Sequence, residues 1–220
     1  MKESNQNIEL SKSEIEEIKR LFLEHYPDSK TELIYKNSYE LLVSVMLSAQ
    51  CTDKRVNIIT PALFEKYPDT KSLAIADIDE VKELIKSCSF FNNKAKNLIA
   101  MAKKVEDEFG GEIPLERDKL MSLAGVGQKT ANVVMIETKE ANFMAVDTHV
   151  FRTSHRLGLS SAKSVKETEK DLEEAFESDL ARLHQAMVLF GRYLCKAKNP
   201  ECERCFLREY CKTKESFKAR

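Results

Sequence analysis

Four cysteines near the end of the chain have a spacing typical of a metal centre. They stand at Cys195, Cys202, Cys205 and Cys211, in the pattern C-x6-C-x2-C-x5-C. Four thiolates in so short a segment can all bind one metal centre without a folded domain to gather them. Zinc sites more often use two close pairs of ligands, and only Cys202 and Cys205 form such a pair. The spacing favours a [4Fe–4S] cluster, with a zinc ion or two disulfides as the alternatives.

A glycine-rich turn between two predicted helices is a second candidate site. The segment 120–134, LMSLAGVGQKTANVV, predicts a helix, a turn at Gly125, Val126 and Gly127, and a new helix from about Gln128. We expect both glycines to take positive φ and to leave backbone N–H groups uncovered. Those amides and the start of the second helix would bind a phosphate oxygen. An ordinary helix–helix turn is the alternative interpretation.

Lys129 and Thr130 fall in the first turn of that second helix, beside the candidate phosphate site. A cation there faces the positive end of the helix, which costs from a few tenths to about 1 kcal/mol. The same field favours a neutral amine, which is the form that attacks carbon. We therefore consider Lys129 a candidate nucleophile, with an exposed surface lysine as the alternative, and Thr130 a candidate contact to the same phosphate.

A carboxylate, Asp147, lies eighteen residues after Lys129 and just before another predicted helix. From local sequence alone, its expected role is that of an N-cap, which accepts hydrogen bonds from the first free amides of a helix. An N-cap at the mouth of a cavity can also act as an electrostatic or acid–base group. His149 is a weaker candidate, and a packing or capping role is expected for it.

The composition indicates a compact, helix-rich soluble protein. The 220 residues are 42% hydrophobic and 32% charged, and they include only 6 glycines and 5 prolines. The longest apolar stretch, 41–47, is too short to span a bilayer. The first residues, MKESNQNIEL, are polar and lack a hydrophobic segment, so we expect no export signal. Since thiolates that bind a cluster need a reducing compartment, we expect a cytoplasmic, nucleoid-associated location and no membrane partner.

Charge is distributed unevenly along the chain. The net charge of −1 argues against a protein that binds nucleic acid by bulk electrostatics alone. However, the segment 192–220 holds nine basic and four acidic residues, a net of +5, while 161–180 has a net of −4. This asymmetry permits a basic face on a nearly neutral protein.

Helical periodicity dominates the rest of the chain, and no segment alternates at period two long enough to require a sheet. The fold class is predicted to be all-α. The predicted helices after the first, which starts at Ser11–Glu14 with a capping signal, are 39–50, 54–67, 78–87, 92–109, 115–123, the helix from 128, 148–157, 165–176 and 180–195.

Five motifs in this order resemble the endonuclease III family, the helix–hairpin–helix DNA glycosylases and AP lyases that carry a [4Fe–4S] cluster. The matching segments are LSAQCTD (47–53), FFNNKAKN (90–97), LAGVGQKTANVV (123–134), AVDTHVFR (145–152) and the four-cysteine segment. The resemblance covers nearly the whole chain, from about residue 39 to Cys211.

The resemblance implies a two-lobed helical fold. A six-helix barrel with the helix–hairpin–helix would occupy 38–142. A second lobe, formed by 1–37 together with 143–220, would carry the cluster at its C-terminal loop. The active site of such a protein would lie in the cleft between the lobes.

The resemblance also implies a role for each candidate residue. Lys129 would be the nucleophile and Asp147 its carboxylate partner. The amides of Gly125 to Gly127 would hold the DNA backbone. Gln50 would fill the space vacated in the base stack, and Phe90 would enter the duplex as a wedge from the opposite loop.

The implied activity is base excision on double-stranded DNA that contains damaged bases or abasic sites. The protein would act as a monomer, remove oxidised pyrimidines through a lysine Schiff base, and nick the strand 3′ to the site by β-elimination. A related glycosylase of different base specificity, a non-catalytic iron–sulfur DNA-binding module and a ferredoxin-like electron carrier are the alternatives.

Two positions depart from the family pattern. Ala124 stands where the family commonly has proline, and Ser89 stands where it commonly has glycine. The chain also differs from the adenine-removing branch, which carries a glutamate in the LSAQCTD helix and lacks the nucleophilic lysine.

Overall fold

The computed structural model describes residues 8–139 and 141–213. Over these residues the protein is all-α, as predicted, with no β-strand. Its α-helices are Lys12–His25 (α1), Ser38–Ser48 (α2), Asp53–Lys66 (α3), Thr70–Ala74 (α4), Ile78–Ile85 (α5), Phe91–Phe109 (α6), Arg117–Met121 (α7), Gln128–Lys139 (α8), Thr148–Leu157 (α9), Val165–Phe176 (α10) and Leu180–Leu189 (α11). None of the helices in the described part of the chain combines the length and apolarity needed to cross a membrane.

The chain divides into two compact units. One comprises Glu32–Glu140, and the other combines Met1–Thr31 with Ala141–Arg220. The functional boundaries implied by the family resemblance, 38–142 against 1–37 with 143–220, stay a prediction.

In the unit Glu32–Glu140, α2 is the central helix. Its residues from Tyr39 to Leu47 are all buried, and it packs against α3, α6 and α8. A helix that is apolar on nearly every face can only be accommodated inside a core. The apolar sequence of α2 thus accounts for its central position. The helix predicted for 39–50 ends at Ser48 and not at Gln50, because Ala49 and Gln50 leave helical geometry.

In the other unit, aromatic side chains pack the cysteine segment against the helices. Phe206, which follows Cys205, packs edge-to-face against Phe22 of α1 and against Phe190, with ring centroids 6.0 and 5.5 Å apart. His25 stacks on the other side of Phe206 at 3.9 Å. Edge-to-face and stacked rings stabilise a contact beyond the area that they bury. These rings therefore fix where the cysteines lie relative to α1.

Most other differences from the predicted helices lie at their ends. The helix predicted for 180–195 ends at Leu189 and continues as a π-helical turn, Phe190–Leu194. The short helix α4 was not predicted, although Asp69 and Ser72 form a capping box at its start. The capping signal predicted at Ser11 is confirmed, since Ser11 and Glu14 also form a capping box.

Candidate functional site

The predicted hairpin consists of α7, a turn and α8. Leu120, Leu123 and Val126 are buried and anchor the turn in the core of its unit. Gly125 has φ +76°, and a Cβ added to it would lie 2.8 Å from Nδ2 of Asn97 on α6. Glycine is needed at this position, because any other residue would combine a left-handed backbone with a steric clash.

The turn leaves two of its three amides open to a ligand. The Val126 N–H donates to the Leu123 carbonyl oxygen at 3.1 Å, whereas those of Gly125 and Gly127 donate no hydrogen bond to the described residues. The expectation of three phosphate-facing amides is therefore wrong for Val126. The expected positive φ is also wrong for Gly127. A Cβ added to Gly127 would meet nothing within 4 Å, so its surface is open to a close approach.

Lys129 lies on the exposed side of the first turn of α8, as predicted. The first main-chain bond of this helix runs from the Ala131 N–H to the Gly127 oxygen at 3.0 Å, so Lys129 and Thr130 precede the regular helical bonds. The Lys129 side chain is exposed, and its amine has no hydrogen bond or ion pair among the described residues of its unit. An amine in this position is available to react, and the end of the helix carries positive partial charge.

Asp147 is the N-cap of α9, which confirms the expectation from local sequence. Its Oδ1 accepts hydrogen bonds from the N–H groups of His149 and Val150, both at 2.8 Å. Its second oxygen, Oδ2, accepts no hydrogen bond among the described residues of its unit. The residue is partly exposed. Asp147 therefore has one oxygen committed to the helix and one that a substrate can contact.

His149 has a packing role, as expected. Its Nδ1 lies 3.3 Å from Nη2 of Arg152, and its Cβ lies so close to Gly191 that an added Cβ there would be at 2.9 Å. His149 thus packs against Gly191 of the π-helical turn.

Gln50 and Phe90 share an uncommon backbone conformation. Gln50 has φ +54° and Phe90 has φ +59°, and both side chains are exposed, with Phe90 at 62%. Left-handed geometry in residues other than glycine is uncommon, and for a bulky residue it is a marker of strain that often occurs at functional sites. Ser89 does not have positive φ, so its departure from glycine places no strain at that position.

Lys94, which sequence reasoning missed, links the segments that carry these two residues. It lies in the first turn of α6, just after Phe90, and its Nζ donates to the oxygens of Leu47 and Ala49 at 2.8 and 2.7 Å. Those carbonyls belong to the end of α2, immediately before Gln50. Burial lowers the pKa of Lys94 below its usual value. The only local signal for this role was the presence of a lysine in the motif FFNNKAKN, which otherwise indicates the loop that carries the wedge residue Phe90.

The four cysteines of the C-terminal segment line one cavity together with Arg156. None of the six cysteines, all of which lie in the described part of the chain, forms a disulfide. Burial raises the pKa of the Cys205 thiol to about 11, and it raises the pKa of Cys195 against the opposing effect of Arg156. Within residues 8–139 and 141–213, no three His, Cys, Asp or Glu side chains lie close enough together to hold a single metal ion. A cavity walled by four thiols fits a multi-iron cluster better than one zinc ion.

Two arginines of α9 hold the first part of this cysteine loop. Arg156 donates from Nη1 to Sγ of Cys195 at 3.2 Å and to the Lys196 oxygen at 2.8 Å. Arg152 donates from Nε to the Cys195 oxygen at 3.2 Å and from Nη2 to the Gly191 oxygen at 2.7 Å. N–H groups that donate to the sulfur atoms of an iron–sulfur centre help to set its reduction potential. When bound, the [4Fe–4S] cluster supplies four iron–thiolate bonds that join the segment 195–211 into one loop.

The same features occur together in known proteins. Residues 43–178 match the model of the HhH-GPD superfamily of base excision DNA repair proteins, and residues 195–211 match the iron–sulfur binding domain of endonuclease III. The chain is 44% identical to endonuclease III of Rickettsia felis, over 90% of this chain and 93% of that one. It is 43% identical to endonuclease III of Bacillus subtilis, over 85% and 86%.

The fold agrees with that of solved relatives. A structure of an endonuclease III–DNA covalent intermediate, trapped with an estranged adenine, superposes with a TM-score of 0.89 at 40% identity. The alignment covers 94% of this chain and 98% of that one. A thermostable thymine-DNA glycosylase, at 21% identity and a TM-score of 0.82, shares the fold.

The chain combines a helical hairpin that carries an exposed lysine with a four-cysteine loop. Together these features define an iron–sulfur DNA repair protein of the helix–hairpin–helix class. Within that class, the chain belongs to the endonuclease III family. It is accordingly a base-excision DNA glycosylase and AP lyase that carries a [4Fe–4S] cluster and binds DNA.

Proposed function

We propose that this protein removes oxidised pyrimidines from double-stranded DNA and cleaves the strand at the resulting abasic site, with Lys129 as nucleophile. The observation that carries the proposal is the exposed amine of Lys129 in the first turn of α8, beside two open glycine amides. Among the described residues of its unit, this amine has no hydrogen bond or ion pair. No metal ion is needed for this chemistry, and the cluster has a structural role in it.

The proposed reaction begins with extrusion of the target nucleotide, which costs a few kcal/mol and less for a damaged base. The Gly125 and Gly127 amides, with Thr130 beside them, hold the DNA backbone. Gln50 fills the space left in the stack, and Phe90 enters the duplex as a wedge. Their exposed side chains and strained backbones support these roles.

Neutral Lys129 Nζ then attacks C1′ of the sugar. The bond from C1′ to the base breaks, and the base leaves with the bonding electrons and takes up a proton. Asp147, through its free Oδ2, stabilises the cationic sugar and assists proton transfer. Ring opening gives a Schiff base between Nζ and C1′. Loss of a proton from C2′ then expels the 3′ phosphate by β-elimination, which nicks the strand.

The substrate and the location of the enzyme form the second part of the proposal. We propose that it acts as a monomer in the cytoplasm, at the nucleoid, on duplex DNA that carries damaged bases or abasic sites. The basic segment 192–220, with its net charge of +5, would approach DNA phosphates.

The test of this proposal is borohydride trapping on a duplex that contains one oxidised pyrimidine. Borohydride should reduce the Schiff base of the wild-type protein and so link the protein covalently to the DNA. Lys129→Gln should give no covalent adduct and no nick. The variant should still bind damaged DNA within about tenfold of wild type, because only the nucleophile is removed.

Lys119→Gln is the matched control, since Lys119 is also exposed on the hairpin but pairs with Glu116. It should trap like wild type. Efficient trapping by Lys129→Gln would assign the nucleophile to another residue. A panel of duplexes with different lesions separates oxidised pyrimidines from the alternative of another base specificity.

A further inference from the structure

Two cysteines outside the cluster segment come together in the structure. Cys51 follows Gln50 directly, and Cys88 lies between the end of α5 and Phe90. Their Sγ atoms are 3.3 Å apart, although 37 positions separate the two residues in sequence. Because both cysteines lie outside the spacing of the cluster segment, buried packing is the expectation for each of them. It holds for Cys88, which is 2% exposed, whereas Cys51 is only partly buried.

At this distance the two thiols are in direct contact but are not bonded. The sulfurs of a disulfide are about 2.05 Å apart, so the pair must close by roughly 1.2 Å to become covalent. Cys51 and Cys88 both lie in short segments between helices, so a movement of this size requires no helix to unwind. A thiol that solvent can reach, next to a second thiol that can resolve it, is the arrangement found in redox-sensitive cysteine pairs.

The two thiols have different surroundings. Burial, followed by the contact with Cys51, raises the pKa of Cys88 to about 12, while Lys94 and Arg55 act in the opposite direction. Cys88 is shielded, whereas Cys51 is partly exposed and is the sulfur that meets an oxidant first. This difference in exposure orders the two steps of an oxidation.

We propose that Cys51 and Cys88 form a reversible dithiol–disulfide site that takes a peroxide as oxidant and lowers base excision when oxidised. The Cys51 thiol releases its proton and its sulfur attacks one peroxide oxygen; the O–O bond breaks, the departing hydroxide takes up that proton and leaves as water, and a sulfenic acid remains on Cys51. The Cys88 sulfur then attacks Sγ of Cys51, losing its proton as the S–O bond breaks and a second water leaves. Two thiols lose two electrons in total, and one hydrogen peroxide is reduced to two waters.

The effect on excision rests on the proposed roles of Gln50 and Phe90. Cys51 adjoins Gln50, Cys88 is two residues from Phe90, and Lys94 holds the carbonyls just before Gln50. A bond between the sulfurs would draw together the two segments whose exposed side chains enter DNA. A misplacement of about 1 Å at a positioning group can cost about 10²-fold in rate, so we expect at least a tenfold loss.

The experiment uses the cluster-loaded protein, reduced and then treated with hydrogen peroxide at doses that leave the cluster absorption unchanged. Free thiols are alkylated before tryptic digestion, and peptides are identified by mass. We expect Asn37–Lys54 joined to Ser87–Lys94, with two hydrogens fewer than the separate peptides. The excision rate should fall with the yield of this species and recover after treatment with a dithiol reductant.

Cys88→Ala and Cys51→Ala are the control variants, and their excision should not respond to the same peroxide dose. The absence of the joined peptide, or its presence with an unchanged excision rate, would overturn the proposal. An equal loss of excision rate in either variant would also overturn the proposal, because the oxidative damage would then lie at another residue. If the reduced protein excises no lesion at all, the proposed function fails, and the joined peptide still decides whether the disulfide site exists.

Discussion

Gly125 of the hairpin turn packs directly against Asn97 of α6. A Cβ at Gly125 would lie 2.8 Å from Asn97 Nδ2 and 2.9 Å from Asn97 Cβ, closer than real Cβ contacts come. The turn therefore approaches α6 more closely than any side chain would permit. This contact holds the open amides of the hairpin against a rigid helix, which a phosphate-binding turn needs.

Gly125→Ala should destabilise the protein by about 1–3 kcal/mol, because it adds a left-handed alanine and a clash with Asn97. The hairpin would have to move, so affinity for DNA should fall as well. Thermal unfolding and a binding titration measure the two effects.

Gly127→Ala is the matched control. Its added Cβ meets nothing within 4 Å and φ is not positive, so stability should change by less than about 1 kcal/mol. If the Gly127 amide contacts DNA phosphate, affinity should still fall, since a methyl group would stand in the path of the phosphate. Normal affinity in a folded Gly127→Ala protein would remove this amide from the proposed contact surface.

Asp147→Asn separates catalysis from capping. Asparagine caps a helix nearly as well as aspartate, so the melting temperature should change little. Base removal should slow by about 10²-fold or more, because a positioned acid–base or electrostatic group is lost. Single-turnover kinetics with an oxidised pyrimidine measure the rate.

Asp147→Ala is the companion variant. It removes the hydrogen bonds to the His149 and Val150 amides and should cost about 1 kcal/mol of stability in addition. Near-normal turnover of a folded Asp147→Asn protein would leave the residue with a capping role only.

Lys94→Met tests whether the residue positions Gln50 and Phe90. Two carbonyl oxygens, of Leu47 and Ala49, would lose their donor, while the apolar side chain keeps much of the packing. We expect excision of a damaged base to fall about tenfold. Cleavage of a preformed abasic site should fall less, since extruding an abasic nucleotide costs less than extruding a paired base.

Lys96→Met, on the same helix, is the control for the loss of a positive charge. Equal losses of excision in the two variants would mean that charge, and not the link between α2 and α6, is what matters. An equal effect of Lys94→Met on both substrates would likewise count against a positioning role.

Cys202→Ser should release the cluster. Wild-type protein should be yellow-brown, with absorption at about 400 nm and about four irons per chain, and the variant should lose both. The basic loop would then lose its order, so affinity for DNA and its dependence on salt should decrease. Iron analysis and titrations at several salt concentrations measure these changes.

Cys51→Ser is the control, because Cys51 lies outside the cavity that the four cysteines line. It should retain its iron. Full iron content in Cys202→Ser would mean that the cluster is held without this ligand.

Local sequence determined the features that depend on neighbouring residues. Helix periodicity predicted an all-α chain, and the cap residues Ser11 and Asp147 mark the starts of two helices as expected. The spacing of four cysteines within 195–211 indicated a cluster loop. The position of Lys129 in the first turn of α8 also followed from the glycines before it. These features are local because hydrogen bonds within a helix and chelation by a short segment join residues that are close in sequence.

Only the tertiary structure decided the contacts between distant segments. The approach of Cys51 to Cys88, the hold of Lys94 on the end of α2, and the clash that makes Gly125 obligatory each join residues from different helices or loops. No short pattern encodes these contacts, because they depend on how whole helices pack, and packing is decided by many side chains at once.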